Sequence, residues 1–387
     1  MKPVVAVPAT LLLVYRAWSR KSLTPTGIVF ATITAIIHAL HPSAAPFAFL
    51  VIFFLGGTAV TKIKHDVKAK LTLSASGSAG GEGPRSHVQV LANSVVASIL
   101  TLLHTWQLYR HKGADPPCFA YGGGDLLMVG IVANYAAVAA DTYSSELGIL
   151  SRSPPRLITS LTFRRVPRGT NGGVTLVGLA AGAMGAFTIA LTSLLLLPFC
   201  PLGSLSGFTK TGLDGGRAWG LTEKALWVAA VTVWGTLGSV LDSVLGGLLQ
   251  ATVVDKRTGK VVEGDGGSKV GDVYPSRLGE RALVLVHPGA VISTGLDEMP
   301  VRQSSQLRVT EDIANAVTPR RLKHEMSAAD EFVANALDIE HESRKIETGH
   351  DILDNNAINV LMAAMMSIGA IATAAYIWDV PLENVLK

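Results

Sequence analysis

Apolar runs near bilayer-spanning length recur along this chain, and they leave few folds open to it. A hydrocarbon core needs about 20 consecutive apolar residues in helical form, and about eight stretches approach that length: residues 3–19, 25–41, 44–61, 88–108, 123–141, 173–200, 224–250 and 356–379. Backbone groups in lipid have no water to bond, so such segments cross as helices. Only 16% of the 387 residues are charged. The expected fold is therefore all-α, a polytopic membrane helix bundle with about eight spans and a long cytosolic loop. The first run ends at Arg16 with no small-residue cleavage site behind it, so it reads as a retained helix rather than a signal peptide. The lipid bilayer is the obligatory partner. The net charge of +4 sits in loops and points to no nucleic acid. Nothing in the sequence specifies an oligomeric state.

Loops joining these spans alternate between two faces. One face collects Arg20 and Lys21, then Lys62, Lys64, Lys68, Lys70 and Arg85, then Arg152, Arg156, Arg164, Arg165 and Arg168, then the long loop. The other collects Lys2, Arg110, Lys112, Lys210, Arg217 and Lys387. Short loops rich in Lys and Arg stay in the cytosol. The first face is expected to be cytosolic, with both termini opposite, in the endoplasmic reticulum or another endomembrane. Cys118 and Cys200 fall on the non-cytosolic side and form no metal or redox motif. Buried thiols are the expectation there, with a disulfide as the alternative.

Five regions follow. Residues 1–61 hold the N-terminal membrane spans, 62–87 a basic Gly/Ser-rich cytosolic loop, and 88–250 the membrane core with most of the polar motifs. Residues 251–353 form a cytosolic insertion loop, in which 310–317 and 328–339 have the pattern of amphipathic helices. Residues 354–387 hold the C-terminal span.

Polar residues cluster at the cytosolic ends of these spans. Asp141 and Glu146 end the fifth, Asp242 lies in the last turns of the seventh, and Asn355, Asn356 and Asn359 open the eighth. Asn93 lies just inside the fourth. Carboxylates at a membrane boundary are costly without a role. The functional reading makes Asp141 and Asp242 ligands of Mg²⁺, which takes carboxylate oxygens and keeps waters and substrate phosphates. Glu146 is five residues beyond Asp141, so an ideal helix points it elsewhere, and it joins the metal only if the helix ends near Ser144. Arg168-Gly169-Thr170-Asn171-Gly172-Gly173 is the expected phosphate cradle, a glycine-rich turn opening the sixth span, with Arg168 as a forked cation. No Walker lysine follows it. Against these stand plainer readings: helix caps, a packing seam along Gly235, Ser239, Asp242 and Gly246, and a simple helix-entry turn. The histidines show no ligand spacing. The fifth and seventh spans share a faint repeat, Asp141-Thr142-x-x-Ser145 and Asp242-Ser243-x-x-Gly246.

An ordered series of motifs resembles the transmembrane protein 19 family. It comprises Ser22-Leu23-Thr24-Pro25-x-Gly27, Phe53-Phe54, Thr61-Lys62, Arg85-x-x-x-Gln89-Val90-Leu91-x-Asn93, Ala140-Asp141-Thr142-x-x-Ser145-Glu146-Leu147-Gly148, Gly169-Thr170-Asn171-Gly172-Gly173-Val174, Gly238-Ser239-x-x-Asp242-Ser243-x-x-Gly246 and Leu353-Asp354-Asn355-Asn356-x-x-Asn359. The likeness covers most of residues 20–260 and resumes near 350–365. It departs at Tyr143, where Trp is expected, and across 270–345, which looks like an insertion. The family includes plant and cyanobacterial enzymes that phosphorylate phytyl monophosphate to the diphosphate. The resemblance therefore implies an integral membrane fold and a kinase acting on an isoprenyl monophosphate, with Mg²⁺ as cofactor and a nucleoside triphosphate, CTP or ATP, as co-substrate. Asp141, Asp242 and Arg168 would be its catalytic residues. The alternatives are a membrane transporter, with Asp141 and Asp242 on an ion path, and a non-catalytic membrane protein whose long loop binds a partner.

Overall fold

The computed structural model describes residues 2–75, 78, 80, 83–110, 118–123, 125–200, 217–268 and 344–386. The chain divides into two compact units, residues 1–270 with 345–387 and residues 271–344. Only the first is described below. The amphipathic segments expected at 310–317 and 328–339, and Lys112 and Lys210, lie outside the described residues.

Among the described residues, eight long helices fall where the apolar runs predict them: α1 Pro3–Ser19, α2 Pro25–Leu40, α3 Ala45–Lys62, then, after the single-turn α4 His65–Lys68, α5 His87–Arg110, α6 Leu126–Gly148, α7 Leu176–Leu196, α8 Leu221–Leu249 and α9 Asn355–Trp378. Six of them, α3 and α5 to α9, are long and apolar enough to cross a membrane. The other two are apolar but short, 17 residues in α1 and 16 in α2. At 1.5 Å per residue each reaches only about 25 Å, less than the hydrocarbon thickness of about 30 Å.

Helix α6 is the hub. Every residue from Leu126 to Ala140 is buried, which an alanine-rich sequence permits because five neighbours can approach its backbone closely. α7 runs antiparallel against it and presents a small-residue stripe. Cβ atoms built on Gly178, Gly182 and Gly185 would lie 3.2, 3.2 and 2.6 Å from the carbonyl oxygens of Ser144, Ala140 and Ala139. α8 runs parallel to α6, and its Gly235 and Gly238 pack on Ala136 and Ala137. α9 is antiparallel, with Ile371 on Gly130 and Ser367 donating to Asn134 Oδ1 at 3.5 Å. Small residues at helix crossings supply this close contact where lipid offers no hydrophobic drive between helices.

Two small sheets sit at the basic-loop end, and the all-α reading leaves them out. β2 (Arg156–Leu157) pairs antiparallel with β3 (Gly173–Val174). β1 (Leu73–Ser74), β4 (Thr252–Asp255), β5 (Val261–Glu263) and β6 (Arg344–Thr348) form a sheet in the order β1-β5-β4-β6. The loop before α5 is thus tied to the loop after α8 through parallel pairing of Leu73 with Val262. Residues 251–270 and 345–353 thus group with the first compact unit. Lys345 and then Arg164 hold the Glu347 carboxyl below the usual carboxylate range.

The opposite end is closed covalently. Cys118 and Cys200 form a disulfide, with Cα atoms 5.0 Å apart, so the expected free thiols are corrected. Phe119, Phe199, Trp219, Trp227 and Trp378 stack around it. Phe119 N–H donates to Pro198 O at 2.8 Å, and Cys200 N–H to Phe119 O at 3.0 Å.

Candidate functional site

The site begins at the α6–α8 crossing. A Cβ on Gly238 would stand 2.6 Å from Ala137 Cβ. One helical turn further along each of these parallel helices come Asp141 and Asp242. Close approach below therefore forces the two side chains together above, and their carboxyl groups meet. Two carboxylates offer only acceptors, so such a contact needs a shared proton or a cation between them. Asp242 Oδ1 is buried with no hydrogen-bond partner among the described residues. The two copies of the faint repeat thus face each other.

Amides lie at or near the depth of this pair. The crossings at Gly130, Leu100 and Ile371 set a common level in the bundle. Counting about 1.5 Å per residue from it places Gln89, Asp141, Asp242 and Asn359 at one depth. Asn93 lies about 6 Å deeper, and Asn355 and Asn356 about 5 Å nearer the basic loops. Capping does not account for the asparagines of α9, because Asp354 performs it, with Oδ1 accepting from Ala357 N–H at 2.8 Å. Asn356 Nδ2 donates to Gly266 O at 3.1 Å, while its Oδ1 is buried without a hydrogen-bond partner among the described residues. Asn93 Nδ2 bonds Gln89 O at 2.9 Å in its own helix. Ser86 and Gln89 form a reciprocal capping box at the start of α5.

Nothing in the local sequence singles out Gly266 and Gly267. Both have positive φ, 62° and 76°. A Cβ on Gly267 would lie 3.3 Å from Asn356 Nδ2, and one on Gly266 3.7 Å from Ser86 Oγ. This turn, rather than the one at 169–173, overlies the amide cluster. A composition reading sees only a turn-rich stretch there, because its significance depends on contact with α5 and α9.

The expected phosphate cradle is corrected in two respects. α7 starts at Leu176 with Thr175 as its cap, so Gly169–Gly173 does not open the helix. The turn's donors are also largely used by the protein itself. Thr170 N–H donates to Pro167 O at 3.3 Å, Gly173 N–H to Thr170 O at 2.9 Å, and Asn171 N–H to Thr252 Oγ1 at 3.0 Å. Thr170 Oγ1 bonds Pro167 O and Asn171 Nδ2 bonds Ala251 O. Arg168 Nη2 donates to the carbonyls of Ser151 and Arg152 at 2.7 and 3.3 Å. Gly172, with φ 77°, sits where a Cβ would be 2.9 Å from Ser243 O. The turn is a clamp that grips α8 one residue beyond Asp242 and anchors strand β4.

Glu146 is likewise moved. α6 continues unbroken to Gly148, so Glu146 faces α3 instead of Asp242. Its carboxylate pairs with Lys68 Nζ and accepts from Thr61 Oγ1 at 2.7 Å. It is not placed to share a cation with Asp141. Among the described residues no three His, Cys, Asp or Glu side chains form a metal cluster. Asp141, Asp242 and the orphaned Asp242 oxygen nevertheless fit the modest demand of Mg²⁺, which takes one or two carboxylates and fills its sphere with water and phosphate.

A second buried polar set was missed because its histidines lack sequence spacing. His41 Nε2 and His104 Nδ1 are 2.9 Å apart, and His104 Nε2 is 2.9 Å from Asp125 Oδ1. His38 Nε2 and the Tyr135 hydroxyl are 2.7 Å apart. The available signal was His38 in the last turn of α2 and His41 just after it, with Asp125 at the same end of the bundle as His41.

With this geometry in hand, comparison with known proteins is informative. The family described as integral membrane protein DUF92 matches residues 8–367. The chain belongs to that family. Protein PGR of Arabidopsis thaliana is 33% identical over 253 residues, 64% of this chain and 78% of its own length. An uncharacterized membrane protein of Methanocaldococcus jannaschii is 31% identical over 176 residues, 46% of this chain and 63% of its own. Protein VTE6, chloroplastic, of Arabidopsis thaliana is 30% identical over 168 residues, 43% of this chain and 46% of its own. No solved structure matches. The chain is thus a multi-pass integral membrane protein, in keeping with its resemblance to the transmembrane protein 19 family.

Proposed function

We propose that this protein is a kinase that transfers the γ-phosphoryl group of CTP or ATP to an isoprenyl monophosphate of phytyl type, at the cytosolic surface of an endomembrane. The observation that carries this reading is the meeting of Asp141 and Asp242 on two helices of the membrane core, with Gln89 and Asn359 at about the same depth by helix rise. Support also comes from the family resemblance and from the similarity to Protein VTE6.

The chemistry asks little covalent work of the protein. A monophosphate oxygen, already ionised, attacks the γ-phosphorus. The bond from that phosphorus to the β–γ bridging oxygen breaks, and the nucleoside diphosphate leaves with the electron pair. No general base is required. Catalysis of this kind is alignment and charge neutralisation. Asp141 and Asp242 would hold Mg²⁺, which when bound neutralises phosphate charge. The asparagine amides would orient phosphate oxygens or metal waters, and the Gly266–Gly267 backbone would border the nucleotide side.

Purified protein in lipid nanodiscs, given phytyl, farnesyl and geranylgeranyl monophosphates with ATP or CTP, is expected to form the diphosphate. Asp141→Asn should lower the rate by about 10²–10³-fold, the scale for removing one electrostatic stabiliser, with unchanged elution and helicity. Undiminished turnover in that variant would exclude the site.

A transporter is the second reading, and the buried His41–His104–Asp125 set favours it specifically. It extends the polar residues towards the end of the bundle opposite Asp141. Proteoliposomes that show Asp125-dependent proton or ion flux, and no phosphoryl transfer, would make this the better account.

A further inference from the structure

Three polar side chains at the disulfide end of the bundle take no part in the phosphoryl-transfer scheme. His41 follows α2, His104 lies on α5, and Asp125 precedes α6. Both rings are buried, whereas the Asp125 side chain is 18% exposed. His104 Nε2 lies 2.9 Å from Asp125 Oδ1, off the line of a hydrogen bond, and neither atom has another partner among the described residues. Two bare acceptors would repel at that separation, so Nε2 carries a proton. The contact is then coulombic, and it strengthens when the ring becomes an imidazolium facing the carboxylate.

The remaining ring nitrogens form a chain with two complete proton arrangements. His104 Nδ1 is 2.9 Å from His41 Nε2. His41 Nδ1 is 3.0 Å from Ser43 N and 3.1 Å from Ser43 O. With both rings neutral, Ser43 N–H donates to His41 Nδ1, and His41 Nε2–H donates to His104 Nδ1. With one more proton, His104 points a proton at Asp125 and donates from Nδ1 to His41 Nε2, while His41 Nδ1–H donates to Ser43 O. Both arrangements use the same heavy-atom positions. A buried cation is costly unless it is paired and hydrogen-bonded, and an imidazolium at His104 is both. Water reaches the chain at the α2–α3 turn, where Ser43 is half-buried between exposed Pro42 and Ala44.

We propose that His41, His104 and Asp125 form a proton-binding relay, which takes up one proton at the α2–α3 turn and holds the charge on His104 against Asp125. A proton from water forms the Nδ1–H bond of His41, the Nε2–H bond of His41 breaks, and the proton it releases forms the Nδ1–H bond of His104. The set passes from one negative charge to none. The Ser43 peptide reads the change, since its N–H serves one state and its carbonyl the other. Because no heavy atom has to move, the relay stores a proton rather than opening a gate. Besides the relay's own members, the charge of the chain's amino terminus acts on His41. His38, one turn deeper on α2, is engaged elsewhere, with Nδ1 2.8 Å from Thr34 O and Nε2 2.7 Å from the Tyr135 hydroxyl of α6. The relay depends on neither the kinase nor the transporter reading.

The test is a pH titration of the full-length protein in nanodiscs with ¹⁵N-labelled histidine, followed by NMR. Ring nitrogen shifts separate the two neutral tautomers from the imidazolium, and ¹⁵N–¹⁵N coupling across the shared N–H···N bond identifies His41 and His104 in the wild-type spectrum. At alkaline pH both rings should be Nε2–H tautomers. On acidification His104 should become an imidazolium, and in the same step His41 should change to its Nδ1–H tautomer while staying neutral. Asp125→Asn, which removes the counter-charge and keeps the shape, should move that joint step to lower pH. If that variant does not fold, the wild-type tautomers alone decide. Absence of the coupling, separate steps for the two rings, a His41 tautomer unchanged as His104 charges, rings that stay neutral until the protein unfolds, or an unmoved step in folded Asp125→Asn would overturn the proposal.

Discussion

Arg168 shows how residue type and residue role separate. A forked cation beside a glycine turn suggests a phosphate ligand, yet its Nη2 is committed to the carbonyls of Ser151 and Arg152. Charged hydrogen bonds of this kind contribute about 1.5–3 kcal/mol each. Arg168→Ala should therefore lower thermal stability by about 2 kcal/mol, while leaving the KM for lipid phosphate and nucleotide unchanged in the folded fraction. A selective rise in either KM would return Arg168 to the phosphate site. Glu146 carries the converse lesson. Its partner Lys68 is 9% exposed at the side chain, so Glu146→Gln strands a buried ammonium at a cost of about 3 kcal/mol. The pair Lys68→Met with Glu146→Gln should recover most of that in a detergent melting curve. If the single variant melts like wild type, the ion pair is not a structural tie.

At the scale of the element, the site depends on how α6 and α8 cross. Gly238 has no room for a side chain, since its Cβ would meet Ala137 Cβ at 2.6 Å. Gly238→Leu should push the helices apart, destabilise the bundle by about 1–3 kcal/mol, and part Asp141 from Asp242. The fall in phosphoryl transfer should exceed what the lost folded fraction explains, and a proportional fall would show that the crossing does not position the pair. This dependence also marks what was legible in the sequence. The apolar runs located each of the long helices among the described residues, because hydropathy and length suffice for that, although α6 runs on to Gly148, seven residues past the run that ends at 141. Asp141 and Asp242 could be matched in depth because helix rise is fixed. The Gly169–Gly173 turn was misread because local composition cannot say whether an N–H is spent. Thr252 and Pro167 take its donors, and Thr252 lies on the far side of α7 and α8 in the chain. Gly266–Gly267 and the His41–His104–Asp125 set stayed hidden for the same reason. Each is made by contact between segments that share no local pattern.

Across the whole molecule, two independent chemical signals support the proposed orientation. The basic loops, with Arg152, Arg156, Arg164 and Arg165, lie at the end that holds Asp141 and Asp242. The Cys118–Cys200 disulfide lies at the opposite end, where α5, α7, α8 and α9 meet the aromatic stack. Positive loops are retained in the cytosol, and disulfides persist in oxidising compartments. The two signals would conflict if they shared an end, and they do not. The bridge spans 82 residues of sequence, so by chain entropy its loss should cost up to about 4.5 kcal/mol. Cys118→Ser should therefore lower the melting temperature markedly, and the double variant with Cys200→Ser should do no worse. In sealed vesicles with the cytosolic surface outward, a membrane-impermeant phosphine should leave the disulfide intact until the vesicles are opened. Arg165→Cys, in a background lacking the native cysteines, should react with an impermeant maleimide in the sealed vesicles. Reduction before opening, or protection of the residue 165 thiol, would invert the orientation and move the carboxyl pair away from cytosolic nucleotide.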